Sequence, residues 1–378
     1  MRGGLLLDEG GSGCIVHPAI PCESNVNSIN GKEVGKLIKD KEKAESEYAI
    51  QQQIQKIDKK GLYVNPTLKI CSLSSKEILK HDKSAIQCSF IENMSNAKVS
   101  QIVYKTIGTP LHKIHSKDTF SIFEFDTMSL YTHLAKGVEL LSNHNIAHLD
   151  IKPHNVIFDG EKLVMIDFGM AEHFDKIYTD ASHIPYDSRY FVFPPEFIVH
   201  STDKAATLMR LKNQYRCLKL KSVELSFTTM YEQMKDVTSK TDLRVDKSKI
   251  DVFGMGVLLL DGFSHSIEPR NKVENQIKNA LAGIIQQCLH ANPVQRFTPQ
   301  ELVRQLQNIL KPSAKPSAKP SATKTVSEDM MEKCMKEHTV EELKRFMRTH
   351  KLKISGLKKE LCARRLDYDH IISNKLKK

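Results

Sequence analysis

Residues 148–169 constrain the fold of this 378-residue chain more than any other segment. They read His-Leu-Asp-Ile-Lys-Pro-His-Asn, then eleven further residues, and then Asp-Phe-Gly. Within them, the largely apolar stretches 155–158 and 162–166 are separated by Asp-Gly-Glu, a pattern that predicts two short strands joined by a tight turn. Such a hairpin would bring the carboxamide of Asn155 and the carboxylate of Asp167 to the same open end.

This arrangement resembles the catalytic and metal-binding loops of the protein kinase family. The resemblance implies that Asp150 aligns the acceptor hydroxyl and that Lys152 neutralises charge on the transferring phosphate. Asn155 and Asp167 would bind Mg²⁺, or Mn²⁺ in its place, on the phosphates of ATP. Gly169 completes the Asp-Phe-Gly motif in a structural role. The four polar positions are all present, whereas a catalytically silent member of the family typically lacks at least one.

Four other positions match structural residues of the same family. His148 would tie the catalytic loop to the Asp-Phe-Gly segment. Asp251, in Asp-Val-Phe-Gly-Met-Gly-Val, would support that loop from a central helix. Glu196, which follows two prolines, would form a buried ion pair with Arg296.

Residues 8–15 read Asp-Glu-Gly-Gly-Ser-Gly-Cys-Ile before a strand-like run, and they resemble the glycine-rich loop of protein kinases. Glycines let backbone N–H groups approach phosphates closely. An aspartate replaces the family's first glycine, so the cover over the phosphates is expected to be looser at that end. The residues implied to bind ATP in this loop are Gly10, Gly11, Gly13 and Ile15.

The alternating stretch 33–38 predicts a strand that puts Lys36 on the same face as the apolar residues two positions away. Lys36 is the candidate for the lysine that grips the α- and β-phosphates. Glu47, on a following helix with an apolar stripe, is its candidate partner. Glu45 is the rival for Glu47, and Lys32 is the fallback for Lys36.

The order of elements around these motifs predicts an α+β architecture. A strand-rich N-terminal stretch precedes a helix around residues 43–57, more strands follow to about residue 103, and helical patterns follow those. This is the order of the bilobal protein kinase fold, which has a small β-rich lobe, a larger helical lobe and ATP between them. A helical insertion is expected at about 198–249, either as inert packing or as a platform for a substrate or partner.

Details of the motifs bear on the substrate. The Lys152-Pro153 pair resembles serine/threonine kinases rather than tyrosine kinases. Leu149 stands where many kinases carry arginine, which implies activity without a phosphate on the activation loop. The Pro-Pro-Glu-Phe at residues 194–197 and the sequence after the glycine-rich loop look like kinases encoded by large double-stranded DNA viruses.

Lys-Pro-Ser-Ala occurs three times in succession over residues 311–322. Proline at every fourth position forbids a helix, and the small neighbours bury little, so an extended spacer is expected. The predicted division is a kinase-like domain at 1–310, a linker at 311–327 and a basic domain at 328–378. Residues 311–378 hold 18 Lys/Arg against 9 Asp/Glu, which is most of the net charge of +11, so a polyanionic partner is expected.

In the basic domain, Thr339 and Glu342 predict a capping box that starts a first helix, and Ser-Gly at 355–356 opens a second. Two short helices with this connection resemble the SAP module, a small DNA-binding helix–extended–helix unit. The cationic residues implied to contact DNA are Lys353, Lys358, Lys359, Arg364 and Arg365. If they neutralise about four phosphates, log K should fall with log salt at a slope of about −3.6. The other interpretation is a charged helical pair that binds a protein or nothing.

Cysteine spacing and hydropathy set further expectations. The eight cysteines are scattered without a Cys-x-x-Cys pair, so neither a zinc site nor a disulfide framework is signalled and reduced, buried thiols are expected. No apolar run is long enough for a signal peptide core or a membrane span. We therefore expect an intracellular protein of the cytoplasm, the nucleus, a viral factory or a virion, with no membrane partner.

The sequence as a whole favours an ATP-dependent serine/threonine protein kinase that the basic domain localises to DNA, so that nearby proteins become its substrates. The alternative is a catalytically silent scaffold of the same fold that recruits partners to DNA.

Overall fold

The computed structural model describes a defined part of the chain: residues 5–10, 13–22, 33–81, 85, 87–91, 98–105, 108–177, 192–195, 229, 246–311, 328–349, 358, 361, 362 and 365. The chain divides into two compact units, Met1–Pro312 and Ser313–Lys378. The insertion predicted at 198–249 lies outside the described residues except for residues 229 and 246–249, and so does the linker except for residue 311.

The N-terminal half of the first unit is built on a five-stranded antiparallel sheet in the order β1-β2-β3-β5-β4. Its strands are β1 (Leu5–Gly10), β2 (Gly13–His17), β3 (Val34–Ile38), β4 (Thr67–Ser74) and β5 (Lys98–Tyr104). All residues of the central strand β3 are buried. Leu37 and Ile38 belong to different apolar clusters, so both faces of β3 are covered, which its alternating sequence did not indicate.

Two helices accompany this sheet, α1 (Lys41–Ile57) and α2 (Ser75–His81). The predicted helix at 43–57 is therefore confirmed, and it begins two residues earlier. Asp40 accepts a hydrogen bond from the backbone N–H of Lys43 at 3.2 Å and caps the first turn of α1.

The second half of the first unit is mainly helical. Its helices are α3 (Leu111–His115), α4 (Phe125–Asn143), α5 (Ile250–His265), α6 (Lys272–Cys288) and α7 (Pro299–Leu310). Helix α5 is buried on nearly every side, because its sequence is apolar all round. None of the described helices is long and apolar enough to cross a membrane.

Short strands lie among these helices: β6 (Thr109–Pro110), β7 (Ile146–Ala147), β8 (Val156–Phe158), β9 (Leu163–Met165) and β10 (Glu172–His173). Strands β8 and β9 pair antiparallel with Val156 opposite Met165. The predicted hairpin is therefore present. Its turn is held by Asp159, whose Oδ1 accepts hydrogen bonds from the backbone N–H groups of Glu161 and Lys162, each at 2.9 Å.

The second unit contains α8 (Glu328–Glu337) and α9 (Val340–Thr349). The capping box predicted at the start of α9 is present, since Thr339 N donates to Glu342 at 2.7 Å and Glu342 N donates to Thr339 Oγ1 at 3.2 Å. Leu343 and Met347 face a small core that includes Leu361. The sequence interpretation did not identify α8 as a separate helix.

The expectation of reduced cysteines is wrong for six of the eight. Disulfides join Cys14 to Cys88, Cys22 to Cys71, and Cys334 to Cys362. The partners are 74, 49 and 28 residues apart, so their local spacing carries no pairing signal and only the fold brings them together.

Candidate active site

Lys36 and Glu47 form a buried ion pair between β3 and α1. Lys36 Nζ donates hydrogen bonds to both carboxylate oxygens of Glu47, at 2.9 and 2.8 Å, and each side chain is only 3% exposed. The rival Glu45 is exposed and lies 3.6 Å from Lys41 on the helix surface. The fallback Lys32 lies outside the described residues. Glu47, which is buried, is therefore the partner of Lys36, and the exposed Glu45 is not.

The ammonium group of Lys36 also reaches the second half of the unit. Its Nζ donates to Asp167 Oδ1 at 2.8 Å. Burial by itself favours the neutral amine, but the charges of Asp167 and Glu47 outweigh burial and raise the pKa of Lys36. Lys36 is therefore a fixed cation at neutral pH, and it links α1 to the segment after the hairpin.

Tyr104 supports this ion pair from β5. Its hydroxyl donates to Glu47 Oε1 at 2.8 Å and accepts from Gln51 Nε2 at 3.1 Å. Burial and the charge of Glu47 raise the pKa of Tyr104 well above its usual value, so the phenol stays a donor. The sequence interpretation missed both supporting residues. Gln51 could have been found from its position four residues after Glu47, on the same face of α1.

The loop after β7 is held by the buried carboxylate of Asp251, near the start of α5. Asp251 accepts hydrogen bonds from the backbone N–H groups of His148 at 2.6 Å and Leu149 at 2.9 Å. Leu149 has φ 61°, a conformation that costs energy for a branched residue and that these bonds help to maintain. His148 Nε2 lies 3.1 Å from the carbonyl oxygen of Ile166, which joins the loop to the end of the hairpin.

Asp150, Lys152 and Asn155 meet in this loop. Lys152 Nζ lies 2.9 Å from both carboxylate oxygens of Asp150. Asn155 Nδ2 donates to Asp150 Oδ2 at 2.7 Å and to the Asp150 carbonyl oxygen at 3.0 Å. Asp150 is 6% exposed. The ammonium group of Lys152 and the amide group of Asn155 together fix the orientation of its carboxylate.

Asp167 follows the hairpin with φ 63°, and its Oδ1 also accepts from the backbone N–H of Gly169 at 3.3 Å. Phe168 is buried, and its ring centroid lies 4.5 Å from that of His148. A Cβ at Gly169 would lie 3.0 Å from Glu47 Oε2. Glycine at this position therefore allows the segment to approach the Lys36–Glu47 pair.

Comparison with known families agrees with this geometry. The protein kinase domain family matches residues 69–306, which is more than half of the chain. The chain belongs to the protein kinase family. An N-terminal sheet followed by a helical region fits the bilobal fold of that family.

The individual relatives match this chain at low identity and over only part of its length. The chain is 32% identical over 100 residues to mitogen-activated protein kinase kinase kinase 8 of Rattus norvegicus, covering 25% of this chain and 20% of that protein. It is 31% identical over 110 residues to serine/threonine-protein kinase HAL5 of Saccharomyces cerevisiae (strain YJM789), covering 28% and 12%. It is 26% identical over 217 residues to the protein kinase and PP2C-like domain-containing protein of Arabidopsis thaliana, covering 53% and 32%. The chain therefore spans less than a third of each of these relatives.

The glycine-rich segment lies on the β1–β2 hairpin, where Gly10 pairs with Gly13. Gly13 has φ 148°, and a Cβ there would lie 2.3 Å from the carbonyl oxygen of Leu37, so only glycine fits. Ile15 pairs with Lys36 across β2 and β3, which places it beside the candidate nucleotide lysine. Gly11 lies outside the described residues.

The donor atoms of the site fit a hard divalent cation. Mg²⁺ prefers carboxylate and carbonyl oxygens, which Asp167 and Asn155 carry. Asn155 uses its amide nitrogen for both bonds to Asp150, so its carbonyl oxygen is not consumed by that contact. Asp167 uses Oδ1 for its bonds to Lys36 and Gly169. The two residues expected to hold the metal thus have suitable oxygen chemistry.

Arg296 is 1% exposed and joins separate segments of the helical half. It donates to the carbonyl oxygens of His290 at 3.0 Å and Lys249 at 3.1 Å, and its guanidinium carbon lies 5.1 Å from the centre of the Phe253 ring. Its predicted partner Glu196 lies outside the described residues, so that ion pair stays a prediction.

Proposed function

We propose that this chain is an ATP- and Mg²⁺-dependent serine/threonine protein kinase. The observation that carries the proposal is the contact of Lys36 with both Glu47 and Asp167, next to a loop in which Lys152 and Asn155 orient Asp150. Phosphoryl transfer depends mainly on positioning and on electrostatic stabilisation, and these residues supply the charges for both.

In the proposed step, the hydroxyl oxygen of a serine or threonine attacks the γ-phosphorus of ATP. The bond from that phosphorus to the bridging oxygen breaks, and ADP leaves with the electron pair. Asp150 orients the hydroxyl and takes its proton, while Lys152 neutralises charge on the transferred group. Lys36 binds the α- and β-phosphates. Bound Mg²⁺ supplies charge neutralisation on the phosphates, and Asn155 and Asp167 are the residues that would hold it.

The first test measures transfer of labelled γ-phosphate to a generic basic protein. Asp150→Asn should lower the rate by about 100-fold or more, since general acid–base groups contribute about 10² to 10⁴. Asp118→Asn, which changes an exposed aspartate, is the matched control and should transfer at the wild-type rate. Equal thermal unfolding of both variants shows that the fold is retained. If wild-type protein transfers no phosphate, the silent scaffold is favoured instead.

The type of acceptor residue is tested on the same product. Acid hydrolysis of the product should release phosphoserine or phosphothreonine and no phosphotyrosine.

A second test uses the two glutamates of α1. Glu47→Gln should reduce transfer strongly, because the buried pair with Lys36 loses its charge. Glu45→Gln should leave the rate unchanged, because that side chain is exposed and bonds only on the surface. Equal activity of the two variants would count against Lys36 as the nucleotide lysine.

We also propose that the second unit is a SAP-like module that binds DNA and brings protein substrates close to the kinase. Its support is the positive charge of residues 311–378 and the small helical core around Leu343 and Met347. Of the candidate DNA contacts, Lys358 and Arg365 are partly exposed, and Arg365 stacks 4.7 Å over the Phe346 ring. Lys353, Lys359 and Arg364 lie outside the described residues.

DNA binding is tested with the full chain and a labelled duplex over a range of salt concentrations. The log–log slope should be about −3.6 for the wild type, and Lys358→Ala should make it shallower by about 0.9. Lys333→Ala is the control, since Lys333 is exposed on α8 and faces Glu337 at 3.8 Å. Binding that does not change with salt concentration would exclude the DNA interpretation, whereas equal slopes for the two variants would exclude Lys358 as a phosphate contact.

The motif variants at residues 194–197 and after the glycine-rich loop support placing this kinase among those of large double-stranded DNA viruses. The proposed location is intracellular: the cytoplasm, the nucleus, a viral factory or a virion.

A further inference from the structure

One end of α5 carries a cluster of side chains that phosphoryl transfer does not use. His115 of α3 meets Asp261 and His265 of α5, and one donor atom from each residue lies within 4.8 Å of the others. Asp261 and His265 are four residues apart, so they occupy the same face of the helix. Asp251, which supports the catalytic loop, is ten residues before Asp261, or about 15 Å along the helix axis. The cluster is therefore separate from the proposed nucleotide site.

The distances are close to those of a metal centre. His115 Nδ1 lies 2.5 Å from Asp261 Oδ2, and His265 Nδ1 lies 3.6 Å from the same oxygen. In a tetrahedral zinc site with ligand bonds of about 2.0 to 2.1 Å, neighbouring donor atoms are about 3.3 Å apart. Binding of an ion would therefore require the first distance to widen by about 0.8 Å and the second to shorten by about 0.3 Å.

The surroundings of His115 favour a ligand role. Its ring is buried, and Nε2 contacts the hydroxyl of Tyr131, which is itself buried. Metal-binding histidines commonly have their second ring nitrogen bonded in this way, which orients the ring. Gly262 makes this packing possible, because a Cβ at that position would lie 3.0 Å from the Tyr131 oxygen.

The opposite side of the cluster is open. The side chains of Asp261 and His265 are 34% and 37% exposed, so an ion can enter and water can complete its coordination. His265 Nδ1 also lies 2.8 Å from the carbonyl oxygen of Asp261, a contact that a bound ion would replace.

We propose that His115, Asp261 and His265 form a zinc site that joins α3 to α5, with water as the fourth ligand. Two imidazole nitrogens and one carboxylate oxygen suit Zn²⁺, whereas Mg²⁺ prefers a set of oxygen ligands. The site is a structural link in the helical half, and it acts whether or not the chain transfers phosphate.

The test is a titration of the full chain with Co²⁺, a coloured substitute for Zn²⁺, after treatment with EDTA and dialysis into buffer containing Mg²⁺. Wild-type protein should bind one more equivalent of Co²⁺ than His265→Ala or Asp261→Asn, and Zn²⁺ should displace that equivalent. Zn²⁺ should also raise the thermal unfolding temperature of the wild type and not that of His265→Ala. Tyr131→Phe should keep the equivalent but bind it about 10- to 100-fold more weakly.

His144→Ala is the matched control. His144 Nδ1 lies 2.9 Å from the carbonyl oxygen of Leu140, four residues earlier, just as His265 contacts Asp261. This variant should bind as much Co²⁺ as the wild type. The proposal is overturned if His265→Ala binds the same number of equivalents with the same affinity as the wild type, because the cluster is then only a hydrogen-bonded contact.

Discussion

The sheet half of the first unit, residues 5–104, and its helical half, residues 108–311, are stabilised in different ways. The sheet half places many of its apolar side chains in two small clusters on opposite faces of the sheet, and it adds Ile50, Ile54 and Val64 to the large cluster of the helical half. It adds two disulfides, Cys14–Cys88 and Cys22–Cys71. The helical half is packed mainly around one large cluster, with a small second one around Ile177 and Ile250, and its described cysteine, Cys288, is a buried thiol. A small core gains more from covalent links than a large one, because the large core buries more apolar surface.

The candidate active site draws on both halves. The sheet half supplies Lys36 and Glu47, and the helical half supplies Asp150 and Asp167. The 2.8 Å contact between Lys36 and Asp167 connects them. A change that loosens either half should therefore also disturb the candidate active site, although for different physical reasons.

The largest effect is expected from a cavity in the helical half. Phe253→Ala should lower the free energy of unfolding by about 3 to 5 kcal/mol, because a fully buried ring is lost from the continuous core. Chemical denaturation measures the difference. Val294→Ala is the control, since that side chain is 70% exposed and its loss should cost about 0.5 kcal/mol or less. A loss below about 1 kcal/mol for Phe253→Ala would show that the helical core is not the main source of stability.

An intermediate effect is expected from removing one link of the sheet half. The double variant Cys14→Ala, Cys88→Ala should lose about 2 to 4 kcal/mol of unfolding free energy under non-reducing conditions, because the closed loop in the unfolded chain is long. Cys288→Ala removes a buried thiol without a covalent link and should cost less. If the two losses are equal, the disulfide adds nothing and the contrast between the halves fails.

The smallest effect is expected at the start of α7. Thr298 N donates to Glu301 Oε2 at 2.8 Å, and Glu301 N donates to Thr298 Oγ1 at 3.2 Å. Thr298→Ala should therefore cost about 1 kcal/mol of unfolding free energy. This loss should be well below the loss for Phe253→Ala in the same half. The difference would show that the buried core, and not the ends of the helices, stabilises the helical half.

The same capping box has a defined pH dependence. Hydrogen bonds from Thr298 hold the pKa of Glu301 below its usual value. Because the folded pKa is lower than the unfolded one, this contribution to stability is complete above about pH 4.3 and is lost as the pH falls through the folded pKa. Thermal unfolding of the wild type and of Glu301→Gln should therefore converge in acid. A constant gap at every pH would contradict this origin.

Local sequence patterns determined a large part of the described fold. The β8–β9 hairpin follows from apolar runs around Asp-Gly-Glu, and the capping box before α9 follows from Thr339 and Glu342. Lys36 and Glu47 could be chosen from the sequence because Lys36 lies on an alternating strand and Glu47 lies on an amphipathic helix. In each case the residues that interact are close in the sequence or belong to one recognisable motif.

Tertiary structure alone decided the contacts between distant residues. Tyr104 supports Glu47 across 57 residues, Cys14 reaches Cys88 across 74, and His115 reaches Asp261 across 146. Burial also decided between Glu47 and Glu45, two similar residues on one helix. The sequence by itself determined elements and their motifs, since helix and strand periodicity is local. Partners across the fold depend on how the sheet and helices pack, and no local pattern contains that information.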